Sequence, residues 1–168
     1  MLCLRIILFR VRNGDASALD QTAERYYSEI YRFLCRKLSD HNAAQDVTQT
    51  VFVKFAAAFP QYNEKGKLRN YLFKLASNAG NDWFCEKTDF VSFNELHQIP
   101  SASPSPETAA VSNNTAEIAR HALSRLPGFQ RDVIILRFYH DLSFRDIARI
   151  TGTNLSSAKS RYRLRITV

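Results

Sequence analysis

The sequence contains few of the residues from which disulfide frameworks and metal sites are built. Only three cysteines occur in 168 residues, and they form no CxxC pair, which argues against a disulfide scaffold and a zinc finger. The four histidines are equally scattered, so no metal-ligand spacing is present. We therefore predict reduced thiols in a cytoplasmic protein, with no metal and no cofactor.

Features typical of an enzyme are scarce as well. With five glycines in the chain, no glycine-rich loop for binding phosphate is recognisable. Neither a Ser/His/Asp set nor a pair of carboxylates at metal-binding spacing stands out. We predict that the chain is not an enzyme by itself. A small hydrolase or nuclease with a site assembled from distant residues is an alternative that the sequence leaves open.

Long apolar runs are also missing. The most apolar stretch, residues 1–10, is interrupted by Arg5 and is far shorter than the about 20 residues that cross a membrane. No small-residue cleavage site of a signal peptide follows it. We expect this stretch to form the first helix of a domain, without direct membrane insertion.

Basic charge is distributed unevenly along the chain, whose net charge is +7. Residues 1–89 contain 13 Lys/Arg and 10 Asp/Glu, whereas residues 116–168 contain 10 and 4. Residues 90–115 contain no basic side chain and include a Pro/Ser-rich run that disfavours a helix. We predict two separate small domains, 1–89 and 116–168, joined by a flexible linker at 90–115.

Apolar residues recur at three- and four-residue steps in both predicted domains, which predicts an all-α fold. In the first domain, the expected breaks are residues 39–42 and Pro60. No strand-like alternation of any length occurs. The helices predicted for the second domain lie near 116–125, 129–139, 143–150 and 155–166.

The C-terminal domain carries the clearest motif of the sequence. Ser143 is a good helix N-cap, and Asp146 follows three positions on, a near match to a capping box. Gly152 supplies a sharp bend before a second helix that begins at Leu155. This order predicts a helix-turn-helix, whose second helix lies in the major groove of DNA.

One face of that second helix is suited to DNA. At 100° per residue, Ser156, Ser160 and Arg163 point the same way, and basic residues flank them. Serine and arginine reach base edges, while flanking cations pair with phosphates. The alternative is a solvated basic helix end, where cations also favour the helix dipole. The DNA-binding candidates in this domain are Arg145, Ser156, Ser157, Lys159, Ser160, Arg161 and Arg163.

These residues resemble region four of the sigma factors, in particular those of the extracytoplasmic-function type. The likeness runs through Leu126-Pro127, residues 131–137, residues 142–148 and residues 158–161. It implies a module that reads the minus-thirty-five promoter element and contacts the flap of the polymerase β subunit. Leu164-Arg165 stands where the family continues with an Arg-Ala pair and a further turn, so we expect a recognition helix that is truncated at its end.

The first domain resembles region two of the same family. Gly14-Asp15 and Ala18 resemble its opening signature, and residues 44–49 followed by Val51-Phe52 resemble its most recognisable stretch. The likeness implies a helix that docks on the clamp helices of the β′ subunit. The implied core-binding residues are Asp46, Val47, Gln49, Thr50 and Val53.

Residues 68–78, with Asp82 further on, resemble the segment of the family that reads the minus-ten element and melts the promoter. Tyr71 stands where the family has tryptophan, so an aromatic side chain is kept. Aromatic and basic residues together hold bases that have been pulled from the stack. We expect at least two of the candidates to be buried instead. The candidates for single-strand contact are Tyr71, Lys74, Asn78, Asn81, Trp83 and Lys87.

The two resemblances together imply a sigma factor of the sigma-70 superfamily, group IV. Such a protein directs core RNA polymerase to promoters for transcription initiation, and it is commonly controlled by an anti-sigma factor. The alternative is a helix-turn-helix transcriptional regulator that never touches polymerase. That alternative accounts for residues 143–166 and leaves the pattern at Asp46–Gln49 without an explanation.

Overall fold

The computed structural model describes residues 16–58, 62, 67–93 and 113–163, and every regular element among them is an α-helix. The prediction of an all-α fold is confirmed. The expected first helix at residues 1–10 and the Gly14-Asp15 signature lie outside the described residues. In chain order, the helices are α1 (Ala16–Leu38), α2 (His41–Ala58), α3 (Leu68–Phe93), α4 (Asn113–Ser124), α5 (Gly128–Phe138), α6 (Phe144–Ile150) and α7 (Leu155–Arg163).

The break between α1 and α2 lies where the polar residues 39–42 predicted it. Ser39 has a φ of 58°, a left-handed conformation that ends α1. The Asp40 carboxylate accepts hydrogen bonds from the backbone N–H groups of Asn42 and Ala43, both at 3.0 Å. These bonds satisfy donors that the first turn of α2 leaves unpaired.

Helices α1, α2 and α3 form the N-terminal half of the structure, and they pack on one another around aromatic and aliphatic side chains. Phe33, Val51, Phe55 and Phe73 are almost completely inaccessible to solvent. The rings of Phe33 and Phe73 meet edge to face with their centroids 5.5 Å apart. Burial of each such side chain stabilises the fold by about 1.5–3 kcal/mol. These contacts therefore fix the orientation of α2 and α3, and with it which side chains of the two helices face solvent.

Helices α4 to α7 form the C-terminal half, with Val133, Ile135, Leu136 and Ile147 inaccessible to solvent. Two of the helices extend into the segment predicted as a linker, because α3 continues to Phe93 and α4 begins at Asn113. The remainder of that segment, 94–112, lies outside the described residues. The domain borders at 89/90 and 115/116 stay predictions.

The two halves pack directly against each other, which the expectation of two separate bodies did not include. Helix α1 contacts α4 and α5, and α3 contacts α6. His140 of the C-terminal half packs against the rings of both Phe33 and Phe73, with centroid distances of 6.2 and 4.8 Å. Polar pairs join the halves beside these rings, so the interface is held by both apolar and charged contacts.

Candidate nucleic-acid and partner interfaces

The helix-turn-helix predicted from the sequence is formed by α6, the turn at 151–154 and α7. Ser143 caps α6: its hydroxyl accepts from the Asp146 N–H at 3.2 Å and donates to the Asp146 carboxylate at 2.6 Å. Gly152 has a φ of 65°, which lets the chain turn without strain. The Asn154 side chain then accepts from the Ser157 N–H at 2.7 Å and opens α7.

Helix α7 is fixed on α6 by one buried side and one aromatic contact. Ala158 is fully buried, and α7 packs against both α5 and α6. The Phe144 and Tyr162 rings meet edge to face with a centroid distance of 5.4 Å. With that side anchored, the opposite face of α7 is turned to solvent.

The exposed face of α7 carries the predicted DNA-reading residues. Ser156, Lys159, Ser160 and Arg163 are exposed, and so is Arg145 on α6. Ser157 and Arg161 are half-buried, and the Arg161 guanidinium lies 4.6 Å from the centre of the Phe129 ring. That contact holds Arg161 toward α5, away from the exposed face. Residues after Arg163, where truncation was expected, lie outside the described residues.

The predicted single-strand contacts lie on two sides of α3, with Tyr71, Lys74, Asn78 and Asn81 on one side and Trp83 and Lys87 on the other. Lys74, Asn78 and Asn81 are exposed at steps of four and three residues, and Lys87 is exposed further along. The Lys87 ammonium lies 4.7 Å from the centre of the half-buried Trp83 ring. A cation next to an aromatic face is suited to holding an unstacked base and its phosphate.

The expectation that at least two of these side chains are buried is not met in full, since Tyr71 and Trp83 are only half-buried. Tyr71 packs at 4.7 Å from Tyr62 and at 6.4 Å from Phe55, measured between ring centroids. These rings hold Tyr71 against the core of the N-terminal half. Tyr71 also lines a cleft between the halves.

This cleft has a volume of about 280 Å³ and lies between the start of α3 and the end of α6. Its walls are basic on both sides, with Lys67 and Lys74 from α3 and its leading turn, and Arg149 from α6. Asp146 pairs with Lys67 at 3.3 Å, and the Ser143 hydroxyl and Lys67 keep the pKa of Asp146 below its ordinary value. The sequence did not predict Lys67 and Arg149 as candidate contacts, because only the packing of the two halves brings them together.

The predicted polymerase-binding residues occupy one exposed side of α2, with one exception. Asp46, Gln49, Thr50 and Val53 follow one another at helical spacing, and Val53 is 69% exposed. Val47 is only 8% exposed and belongs to the core. Its assignment as a contact residue is therefore corrected. Val47 packs in the core and supports α2, whereas the exposed Val53 offers apolar surface to a partner.

In the described part of the chain, none of the helices combines the length and apolarity required to cross a membrane. No group of three or more His, Cys, Asp or Glu side chains in that part is arranged to hold a metal ion.

Comparisons with protein families match each half of the chain separately. The model described as Sigma-70 region 2 matches residues 22–87, and the model described as Sigma-70, region 4 matches residues 116–164. The first match contains α2 and the single-strand candidates of α3. The second contains the complete helix-turn-helix.

Individual proteins resemble the chain over nearly its whole length. It is 25% identical over 162 residues to the ECF RNA polymerase sigma factor SigW of Bacillus subtilis, which covers 90% of this chain and 87% of that protein. It is 26% identical over 165 residues to the RNA polymerase sigma-H factor of Pseudomonas aeruginosa, covering 90% and 84%.

Two solved structures share the fold. The sigma factor RpoE of Bartonella quintana, in complex with the anti-sigma factor NepR, superposes with a TM-score of 0.74 at 23% identity, covering 85% of this chain and 88% of that chain. CnrH, in complex with the cytosolic domain of CnrY, superposes with a TM-score of 0.68 at 18% identity, covering 94% and 88%.

Proposed function

This chain belongs to the extracytoplasmic-function sigma factors of the sigma-70 family, and we propose how its three exposed faces divide the work of promoter recognition. Helix α2 docks on the β′ clamp helices of core RNA polymerase through Asp46, Gln49 and Val53. Helix α3 holds the opened minus-ten strand, and α7 reads the minus-thirty-five duplex. Sigma factors are initiation factors, so the chemistry of RNA synthesis belongs to the polymerase.

The observation that carries this proposal is the presence of two nucleic-acid faces of different character on separate helices. Helix α7 presents serines and cations without an exposed aromatic ring, which suits an intact duplex. Helix α3 presents Lys87 over the Trp83 ring on one side and Tyr71 beside Lys74 in the cleft on the other, and aromatic rings next to cations suit unstacked bases. A regulator that does not bind polymerase needs only the first face, so that alternative is not favoured.

Further partners follow from the likeness to proteins of known assembly. RpoE is bound to an anti-sigma factor in its solved structure. We expect this chain to be held inactive by a comparable inhibitor, and to act in the cytoplasm on promoter DNA and polymerase. Co-purification of the full chain with core polymerase is the direct test of its polymerase partner. Failure to bind core polymerase would contradict the proposal.

We predict that Asp46→Ala weakens binding to core polymerase by roughly tenfold, as expected for loss of a central polar contact in an interface. Glu24→Ala is the matched control, because Glu24 is an exposed carboxylate on α1 outside the docking face. Affinity is measured by titrating labelled chain with core enzyme. Equal loss in the two variants would show that overall charge, rather than this face, governs binding.

We also predict that Arg163→Ala lowers the affinity for promoter duplex by roughly 1–3 kcal/mol and relaxes sequence preference. The matched control is Arg125→Ala, which removes an exposed cation outside the helix-turn-helix. Binding to duplexes with single-base changes in the minus-thirty-five element separates the two effects. If both variants lose affinity equally for all sequences, Arg163 only neutralises phosphate.

A further inference from the structure

Helix α7 is short and has little buried surface of its own. It spans nine residues, Leu155–Arg163, and Ala158 is the one buried side chain among them. Isolated helices of fewer than about 12–15 residues are marginal in water, and an alanine offers only a methyl group for packing. The direction in which α7 points therefore depends on larger side chains at the edges of this buried contact.

Two consecutive side chains of α7 flank Ala158. At 100° per residue, Tyr162 lies about 40° to one side of Ala158 and Arg161 about 60° to the other. Both are half-buried, whereas their neighbours Ser160 and Arg163 are exposed. Tyr162 and Arg161 therefore belong to the side by which α7 is attached to the rest of the C-terminal half.

The Tyr162 edge of α7 is attached to α6. The Tyr162 and Phe144 rings meet edge to face with their centroids 5.4 Å apart. The Arg137 guanidinium of α5 lies 5.3 Å from the centre of the same Phe144 ring, and it donates to the Leu142 backbone carbonyl at 3.1 Å. These contacts join α5, α6 and α7 along one edge.

The Arg161 edge of α7 is attached to α5. The Arg161 guanidinium lies 4.6 Å from the centre of the Phe129 ring, within the about 6 Å over which an aromatic face attracts a cation. Phe129 lies in the first turn of α5, and 50% of its surface is exposed. The contact therefore bridges the start of α5 and the last turn of α7.

Arg161 points away from the face of α7 that is suited to DNA. Around the helix, it lies about 100° from Ser160 and about 160° from both Lys159 and Arg163. A base edge that meets Arg163 therefore approaches a different side of α7. Because its guanidinium is engaged by a ring of α5, Arg161 contributes to how α7 is held.

Two residues of the DNA-reading face lie beyond the buried part of α7. Ser160 and Arg163 follow Ala158 by about 3 and about 7.5 Å along the helix axis, at about 1.5 Å per residue. Hydrogen bonds to base edges tolerate a range of only about 0.5 Å in donor–acceptor distance. A tilt of the last turn would therefore remove them, and the contacts of Tyr162 and Arg161 oppose such a tilt.

We propose that Arg161 is a positioning residue for promoter reading: through the ring of Phe129 it fixes the last turn of α7, so that Ser160 and Arg163 meet the bases. Arg161 does not itself bind DNA in this arrangement, which differs from the contact that the sequence predicts for it. The inference rests on the proposed function, because it requires α7 to read the minus-thirty-five duplex.

Phe129→Leu tests the proposal without changing any charge. Leucine keeps an apolar side chain but lacks the aromatic face that attracts Arg161. We expect the full chain to bind a duplex containing the minus-thirty-five element of a mapped promoter about three- to tenfold more weakly. Discrimination against single-base changes in that element should fall as well. Fluorescence anisotropy with the parental and altered duplexes measures both effects.

Phe138→Leu is the matched control for Phe129→Leu. Phe138 is also an exposed phenylalanine of α5, and its ring contacts Tyr139. We expect this control to bind the duplex as the parent does. Phe129→Trp keeps an aromatic face for Arg161 and is expected to retain parental affinity and discrimination. Circular dichroism verifies the helical content of each variant.

Arg161→Ala separates positioning from a direct phosphate contact. If Arg161 acts through Phe129, its removal weakens binding about as much as Phe129→Leu does and adds little in the Phe129→Leu background. Lys159→Ala is the comparison, because Lys159 is an exposed cation on the DNA-reading side of the same helix. We expect Lys159→Ala to lower the slope of log affinity against log salt concentration by about one, and Phe129→Leu to leave that slope unchanged.

The outcomes distinguish this inference from the proposed function. If the parent fails to direct promoter-specific transcription, the proposed function is wrong, whatever the variants do. If the parent succeeds while Phe129→Leu binds the duplex as Phe138→Leu does, the present inference is wrong. A full further loss on adding Arg161→Ala to Phe129→Leu, with a salt slope lowered by about one, would also overturn it, because Arg161 would then contact phosphate.

Discussion

Replacing Ala158 with aspartate is expected to reduce the affinity of the chain for promoter duplex by a hundredfold or more. Ala158 is fully buried in α7, which packs against α5 and α6. A carboxylate buried there without a partner costs several kcal/mol. A loss of about 1.4 kcal/mol in binding free energy lowers the affinity tenfold. Helix α7 would leave α6, and the residues on its exposed face would lose their common orientation. Fluorescence anisotropy with a minus-thirty-five duplex measures the loss.

The matched control for this prediction is Ala122→Asp, because Ala122 is exposed on α4 and receives the same charge. We expect the control to bind duplex nearly as the parent does. Core polymerase should still be retained by Ala158→Asp, since α2 belongs to the other half of the structure. If Ala158→Asp and the control bind duplex equally well, α7 is not the helix that reads DNA.

The second large effect concerns stability. Asp132→Leu alone leaves the Lys37 ammonium buried without its carboxylate and removes the acceptor of Ser77. Breaking a buried pair in this way costs about 3–5 kcal/mol, whereas replacing both partners with apolar residues is often neutral or stabilising. We therefore expect Lys37→Met to restore most of the free energy of unfolding that Asp132→Leu removes.

Urea denaturation of the parent, the two single variants and the double variant provides the complete cycle. A coupling energy of about 2 kcal/mol or more is the expected result for partners in contact. If the two single losses simply add, Lys37 and Asp132 do not interact in solution as they do in the structure.

Much of the local structure could be predicted because its causes are local. Ser143 and Asp146 cap α6 through atoms three residues apart, and Gly152 supplies the left-handed turn where the sequence placed it. The break at 39–42 follows from polar residues that bind their own backbone. The exposed faces of α2 and α7 follow from helical periodicity once the buried side is known.

Features that depend on distant residues could not be predicted in the same way. In the sequence, Lys37 is one of two cations in the last turn of α1. In the structure it is buried against Asp132, which is 95 positions away. From the sequence alone, Gly80 is only a residue that weakens a helix. The structure shows that a Cβ atom there would lie 2.6 Å from Cε of Lys37. Val47 follows a motif whose other members are exposed, and only packing shows that its side chain points inward.

The most direct test of the account is transcription by core polymerase reconstituted with the full chain on genomic DNA of its source organism, with start sites mapped. The account predicts initiation at a limited set of positions that share minus-ten and minus-thirty-five sequences, absent with core enzyme alone. Start sites identical with and without the chain would contradict it, even if the chain binds DNA tightly.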